Sequence, residues 1–355
     1  MIRAKAAAIN DLLQCSTKMN EFEKFRDAFA GIAPWAGETP AAHAVDFLGT
    51  LTDITFPAVF TGDPMSIGGK YVETALPSLD ETHPDDNADI WQWRGEGWFE
   101  AVNWFEAARE AHGEFVMLTL GAWYGSQAVG CYRALQLVNP MPCRLVVVEP
   151  MADNVALIER HLRSNGIDPD AHWIVPMAVN DSADPVLFPV APHAMGPQNC
   201  FSTNERASRE SFCREIIAAG KAEAALSSLL LHNSTGITIP GKSAKGEPLQ
   251  AEVKYVGATT LNLLLGPLAR VDYLEADIQQ SETRAFPPFV DLLKRKVRRI
   301  HIGTHGRDAH WMLHDLFAGN GWDIVFSYEP DATHQTALGT FTTTDGVLTV
   351  RNPDL

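Results

Sequence analysis

Five cysteines in a 355-residue chain (Cys15, Cys131, Cys143, Cys200 and Cys213) form no C-x-x-C pair and no even framework. That speaks against a structural zinc site and a disulfide-stapled scaffold, and it suits a reducing compartment. Positive charge is scarce as well: 28 Lys and Arg stand against 44 Asp and Glu, for a net charge of -16. A phosphate backbone needs a basic face, so no nucleic-acid partner is expected. The one cationic cluster, Lys294, Arg295, Lys296, Arg298 and Arg299, reads as a solvated helix end before a buried strand. No apolar run approaches about 18 residues, so no membrane span is expected. The N-terminus lacks an apolar core of signal-peptide length, and the cytoplasm is the expected compartment.

The composition that remains is that of a globular protein able to bury a sizeable core, 46% hydrophobic and 20% charged. Residues 1–90 read as an N-terminal helical and irregular region that packs on the main domain. Apolar residues at helical spacing run over 3–30 (Ile9, Leu12, Phe22, Phe25, Phe29), followed by Pro/Gly-rich text with short apolar pieces such as Phe56–Phe60 and an acidic loop over 80–89. This amphipathic helix could be a homodimer face or a lid.

From 91 to 355 strands and helices alternate. Short apolar runs at Phe115–Leu120, Leu145–Val148, Trp173–Met177, Val271–Ala276, Arg299–Ile302 and Asp323–Ser327 read as strands, several of them buried on both faces. Helices are expected over Trp98–Ala111, Ser126–Val138, Asn154–Asn165, Ala285–Lys296 and His310–Ala318. Thr340–Thr343 and Gly346–Val350 flank Asp345-Gly346 and read as a closing hairpin. The alternation predicts a Rossmann-like, doubly wound, mostly parallel seven-stranded α/β sheet with an antiparallel C-terminal hairpin. An insertion at about 191–257 breaks the pattern, with a helical piece at Ser208–Leu231 and a Gly/Ser/Lys-rich loop at Gly241–Gly246.

In such a sheet ligands bind beyond the carboxyl ends of the strands, at the switch point. After the first strand comes Gly121-Ala122-Trp123-Tyr124-Gly125, a G-x-x-x-G turn. It is not the G-x-G-x-x-G of dinucleotide sites, and there is no Walker lysine, which favours a nucleoside without a diphosphate. Glu149 ends the second strand. An acid there can accept two hydrogen bonds from a ribose diol, or it can serve as a helix N-terminal acid favoured by the macrodipole. Asn180 and Asp181 follow the third strand, where a side chain could bind an adenine amino group or simply form a turn.

Asp277 follows the fourth strand and His305 the fifth, on loops that should face each other. A carboxylate and an imidazole there could position and deprotonate an acceptor hydroxyl; a helix cap and a turn histidine are the structural alternatives. With Asp308 they could bind a divalent metal, a reading not favoured because no further carboxylates accompany them. His310 and His314 have the i, i+4 spacing of a zinc pair, but no glutamate lies between them, and a solvated face is expected. Trp91, Trp93, Trp98 and Phe201 could stack on a sugar, though packing is the commoner fate of such residues.

From Trp98 to the C-terminus these residues resemble the FkbM-like family of class I S-adenosylmethionine (SAM) dependent methyltransferases. Leu120-Gly121-Ala122-Trp123-Tyr124-Gly125 is similar to the family's first motif. Val148-Glu149-Pro150, with Leu157, His161, Asn165 and Gly166, is similar to its second. Val271–Ile278 with Glu282, then His301–His305, Gly321-Trp322, Asp345-Gly346 and Asn352-Pro353, follow in the family's order. The resemblance implies that residues 91–355 are a SAM-binding domain that transfers a methyl group to a hydroxyl of a sugar or secondary metabolite, a small-molecule or glycan acceptor. Two positions depart from the pattern. Thr119 stands where the family has an acid that helps hold the methionine amino group, and Gln280 stands where it has glycine. A nicotinamide-dependent oxidoreductase and a SAM-binding protein without methyl transfer are the alternatives.

Overall fold

Phe115–Leu120 and Val271–Ala276 are buried at every position, as strands are when helices cover both faces of a parallel sheet. In the computed structural model they lie side by side at the middle of a seven-stranded sheet. The structure describes residues 25, 27–33, 35–56, 66–67, 70–72, 76–80, 95–190, 234–242 and 248–355. The strands of the central sheet are β1 (Phe115–Leu120), β2 (Cys143–Val148), β3 (Trp173–Val175), β4 (Val271–Ala276), β5 (Val297–Thr304), β6 (Asp323–Tyr328) and β7 (Gly346–Arg351). Their spatial order is β6-β7-β5-β4-β1-β2-β3. Strands β1 to β5 run parallel, and β7 is antiparallel to both of its neighbours. The order reverses between β1 and β4, which is the switch point where a doubly wound sheet opens a crevice.

Helices α1 (Glu96–Glu110), α2 (Ser126–Val138) and α3 (Ala152–Ser164) cover one face, and α4 (Val290–Lys296) and α5 (Arg307–Gly319) cover the other. The period-2 alternation of β1 divides its side chains between two cores. Phe115 and Met117 pack with Phe99, Trp104 and Phe105 of α1, while Val116, Leu118 and Leu120 pack with Leu293, Leu313 and Phe317. The helix expected over Ala285–Lys296 is broken into Glu282–Ala285, a 3-10 turn at Pro287–Phe289, and α4. Pro287 and Pro288 cannot donate to an α-helical ladder.

The antiparallel C-terminal pair is present with different partners from those suggested by Asp345-Gly346. Gly346–Arg351 does not fold back on Gly339–Thr343; it inserts between β5 and β6. Gly339–Thr343 pairs with Ala332–Thr336 instead. The physical reason is burial: every β7 residue before Arg351 is buried, which a two-stranded edge ribbon could not provide.

Three further groups of strands surround this sheet. His43–Val45, Leu51–Asp53, Ser66–Ile67 and Lys70–Val72 form a small four-stranded sheet. Asn165 at the end of α3 bonds both backbone groups of Leu51, at 2.8 and 2.9 Å. Val186–Val190, Ser234–Lys242 and Pro248–Val256 form an antiparallel three-stranded sheet within and beside the expected insertion. Ala178–Val179 pairs in parallel with Ala258–Thr259, so the third strand stops at Val175 rather than Met177. Of the helical stretch expected over 3–30, residues 25 and 27–30 form turns rather than helix and the rest lies outside the described residues, as do the helical piece expected over 208–231, residues 57–60, 81–89 and 243–247, and Trp91, Trp93 and Phe201. Trp98 packs in the core against Phe99 and Phe326. Among the described residues no helix is long and apolar enough to cross a membrane.

Candidate functional site

A cleft of about 630 Å³, partly continuous with solvent, opens at the carboxyl edge of the sheet over the switch point. Each lining segment follows a strand of the central sheet or lies beyond it. Gly121 and Trp123 come after β1, Glu149, Pro150, Met151 and Asn154 after β2, Met177, Ala178 and Val179 after β3, and Asp277, Ile278, Gln279 and Ser281 after β4. Phe188 of the three-stranded sheet completes it.

The turn after β1 is pinned from both sides. Gly121 and Ala122 donate to the carbonyl of Val148, at 3.0 and 3.1 Å, and Asp277 donates to the carbonyl of Leu120 at 2.9 Å. Gly121 has φ +80°, and a Cβ on it would run into the carbonyl oxygen of Asp277. Its glycine is therefore required by the neighbouring loop of the protein. Gly125 has φ +84° and begins α2. Between them Trp123 holds φ +50°, a left-handed conformation that costs a bulky residue energy and is concentrated at functional sites. Tyr124 is buried against Phe56, Trp123 and His161 and does not line the cleft, and Ala122 is buried beneath it.

Glu149 reaches the cleft, and it is also a loop clamp. One carboxylate oxygen accepts the backbone N–H of Trp123 at 2.9 Å; the other accepts Met151 N at 2.9 Å and Asn154 Nδ2 at 3.1 Å. Three of about four lone-pair positions are occupied, leaving room for one further donor. Burial pushes its carboxyl up to about 7, against the pull of these three bonds. Asn180 and Asp181 are not among the lining residues: Asn180 donates its N–H to Thr259 O at 2.9 Å, and Asp181 pairs with Arg284 at 3.3 Å. The third-strand side of the cleft is instead an apolar wall of Met177, Val179 and Phe188.

Asp277 and His305 are brought together as their loops suggested. His305 Nε2 lies 3.4 Å from Asp277 Oδ1 and 3.5 Å from Asp345 Oδ1. Gln279 Nε2 donates to Asp277 Oδ1 at 2.9 Å and lies 2.7 Å from His305 Nε2. With the amide so oriented, His305 Nε2 accepts and carries no proton. Gln279 and Gln280 both hold left-handed φ, +55° and +71°. Gln280 thus adopts the backbone that glycine would adopt without strain. Glu282 Oε1 accepts Ile278 N at 2.6 Å and closes the loop.

Further acids stand near Asp277, although none of them lines the cleft. Glu96 at the start of α1 accepts the backbone N–H groups of Thr344 and, at 3.0 Å, Asp345. Burial and the nearby Asp345 push the Glu96 carboxyl up to about 8. Burial likewise raises Glu100 to about 7, against a hydrogen bond from Gln127, and burial, with the nearby Asp277, raises Asp345. Among the described residues no group of three His, Cys, Asp or Glu is arranged to hold a metal ion. Asp308 is exposed in the first turn of α5.

His310 corrects the expected solvated face. It is fully buried, bonding Thr304 Oγ1 at 2.9 Å and Ser327 Oγ at 3.0 Å, while His314 sits beside Asp315. The cationic cluster divides as a helix end before a buried strand: Lys294, Arg295 and Lys296 close α4, with Arg295 exposed, and Arg298 and Arg299 lie in β5. Lys296 Nζ donates to the carbonyls of Leu265, Gly266 and Leu268, and Arg298 and Arg299 are buried, with ion pairs to Asp272 and Glu110. Trp123, Gln279, Asp345, Met177 and Phe188 were not read as site residues. Trp123, Gln279 and Asp345 carried a signal, as a member of the glycine turn and as neighbours of Asp277 and of the Asp-Gly turn; Met177 and Phe188 carried none.

Strand order and site together define a Rossmann-like, doubly wound α/β protein with a cleft at its switch point. No family model matches the chain, and no curated protein matches it in sequence. Among solved structures it is similar to a precorrin-6y C5,15-methyltransferase from Geobacter metallireducens, with 10% identity, coverage of 72% of this chain and 87% of that one, and a TM-score of 0.33. It is similar to an O-methyltransferase from Bacillus cereus in complex with SAH, with 10% identity, coverage of 71% and 79%, and a TM-score of 0.34. A protein of the NADB-Rossmann superfamily from Streptococcus agalactiae matches at 9% identity, coverage of 70% and 67%, and a TM-score of 0.30. All three likenesses are remote, and the fold class rests on the strand order itself.

Proposed function

We propose that this chain is a SAM-dependent methyltransferase that methylates a hydroxyl oxygen of a sugar or secondary metabolite. The observation that carries the reading is the convergence, in one switch-point cleft, of the Gly121–Gly125 turn, Glu149 and the Asp277–Gln279 loop. The residues fit the cofactor's parts. Met177, Val179 and Phe188 offer an apolar wall for an adenine, and Glu149 has a lone pair left for a ribose hydroxyl. When bound, the cofactor supplies a methyl group on a cationic sulfonium, open to in-line displacement.

The chain's own residues would align and deprotonate the acceptor. A hydroxyl displacing the Gln279 amide would lie between Asp277 Oδ1 and His305 Nε2, within hydrogen-bond reach of both. His305 Nε2 takes the proton, and the imidazolium so formed faces Asp277 and Asp345, whose carboxylates stabilise it. Alignment supplies most of the rate advantage in a reaction of this kind.

Thermal unfolding with S-adenosylhomocysteine at about 1 mM tests the reading, since a ligand of the native state must raise the melting temperature. No shift with SAM or its product sinks it. A shift with NADH alone would favour a nicotinamide-dependent oxidoreductase. Cofactor binding without methyl transfer to any hydroxyl acceptor would leave a SAM-binding protein.

A further inference from the structure

Gln279 and Asp277 line the cleft, and both contact His305, which does not line it. One nitrogen, Gln279 Nε2, donates to Asp277 Oδ1 at 2.9 Å and meets His305 Nε2 at 2.7 Å. A carboxylate oxygen only accepts, so the amide must turn its nitrogen toward this pair. A ligand in the cleft therefore meets His305 Nε2 at the place the amide now holds. The backbone that presents the amide is strained, with φ +55° at Gln279 and +71° at Gln280, a conformation that gathers at ligand clamps and switches. Gln279 is only half-buried, so its side chain has room to leave.

The amide bridges two acceptors. Asp277 Oδ1 and His305 Nε2 lie 3.4 Å apart, and each takes one proton of the same NH₂ group. Asp345 Oδ1, 3.5 Å from His305 Nε2, is a third acceptor and brings no donor. A hydroxyl carries one proton. In place of the amide it can renew one of the two bonds, and the other is lost at the cost of an unmade hydrogen bond. A second hydroxyl on the adjacent carbon supplies the missing proton, because in a staggered gauche arrangement the two O–H groups stand side by side.

We infer that the Gln279 carboxamide is a built-in stand-in for the acceptor, and that the acceptor is a vicinal diol, one hydroxyl donating to His305 Nε2 and its neighbour to Asp277 Oδ1. This rests on the reading of an oxygen acceptor given above. The hydroxyl on His305 is the one placed for transfer, and the one on Asp277 holds the ligand in register. Gln279 swings out of the pair when the diol enters.

The test is titration of the full chain and of Gln279→Ala, each with S-adenosylhomocysteine present, followed by the ring signals of His305 in NMR. The probes are cis-1,2-cyclohexanediol, cyclohexanol and cyclohexylamine. The diol is expected to bind about tenfold more tightly than cyclohexanol, the scale of one added hydrogen bond. Gln279→Ala, which removes the internal competitor, is expected to tighten the diol by about tenfold as well. Equal binding of diol and cyclohexanol, or tighter binding of cyclohexylamine than of the diol, overturns the diol assignment. Diol binding that Gln279→Ala does not strengthen overturns the role of Gln279, and no diol binding to either protein overturns both. Gln279→Gly, which suits the left-handed backbone, replaces the alanine variant if that one does not fold. Wild-type protein whose melting temperature S-adenosylhomocysteine leaves unchanged overturns the methyltransferase reading instead.

Discussion

Glu149 accepts the backbone N–H of Trp123 at 2.9 Å, joining the end of β2 to the turn after β1. The acid that would face a ribose therefore also holds the strained turn in place, and the two roles share one carboxylate. Glu149→Gln presents an amide N–H₂ to donors that need an acceptor, and is expected to cost about 1–3 kcal/mol of stability. It should also reduce the thermal shift given by saturating S-adenosylhomocysteine. Urea unfolding checks the first effect; a variant as stable as the wild type would mean that the carboxylate does not hold the turn.

The two glycines of that turn should respond differently to substitution. Gly121→Ala meets both a left-handed φ and the Asp277 carbonyl, and is expected to cost about 2–4 kcal/mol. Gly125→Ala keeps the left-handed penalty but meets only ordinary contacts, the nearest being Ile158 at 3.5 Å, so about 1 kcal/mol is expected. Equal losses in the two variants would contradict the close approach of the β1 and β4 loops.

Gln280→Gly is expected to stabilise the protein by about 1 kcal/mol, against the usual effect of introducing glycine. The reason is its φ of +71°, next to Gln279 at +55°. The denaturation midpoint of the variant measures this, and a destabilised variant would show that the Gln280 side chain contributes more than its backbone strain costs.

His305→Ala is expected to lower kcat for methyl transfer about a hundredfold, the scale of a lost general base. Cofactor affinity should change by less than about threefold, since His305 is not a lining residue of the cleft. Single-turnover rates and S-adenosylhomocysteine titration separate the two, and unchanged rates would remove His305 from the chemistry.

The buried acids and histidines give a signed pH dependence. Glu100, Glu149 and Glu282 are raised to about 7 and Glu96 to about 8, from 4.5. Above 4.5 the unfolded chain has lost these protons while the native state keeps them, so stability falls as pH rises until each native carboxyl ionises. His161 and His310 are lowered to about 4 and His301 to about 3, from 6.5. They act oppositely, removing stability as pH falls below 6.5. Between 4.5 and 6.5 the two groups compete, and between 6.5 and 8 the acids act alone. The melting temperature of the ligand-free protein is therefore expected to fall from pH 6.5 to 8. A flat or rising profile there would contradict the burial of these acids.

Periodicity and composition were sufficient for most of the sheet. Apolar runs closed by Gly, Pro or an acid marked the strands of the central sheet up to β6, because burial on both faces leaves little choice of residue. The loop positions of Gly121, Glu149, Asp277 and His305 then followed from the rule that strand ends carry the ligand. What the sequence alone could not determine was pairing. The partners of Gly346–Arg351, the inward turn of His310 and Arg299, and the burial of Tyr124 depend on which elements pack above them. The same is true of the contacts that decide each site residue's state: the three donors to Glu149 and the Gln279 amide between Asp277 and His305. Local pattern reports how much of a segment is buried, whereas only the tertiary structure specifies against what, and it is the neighbour that determines whether a buried polar atom is satisfied, strained or awaiting a ligand.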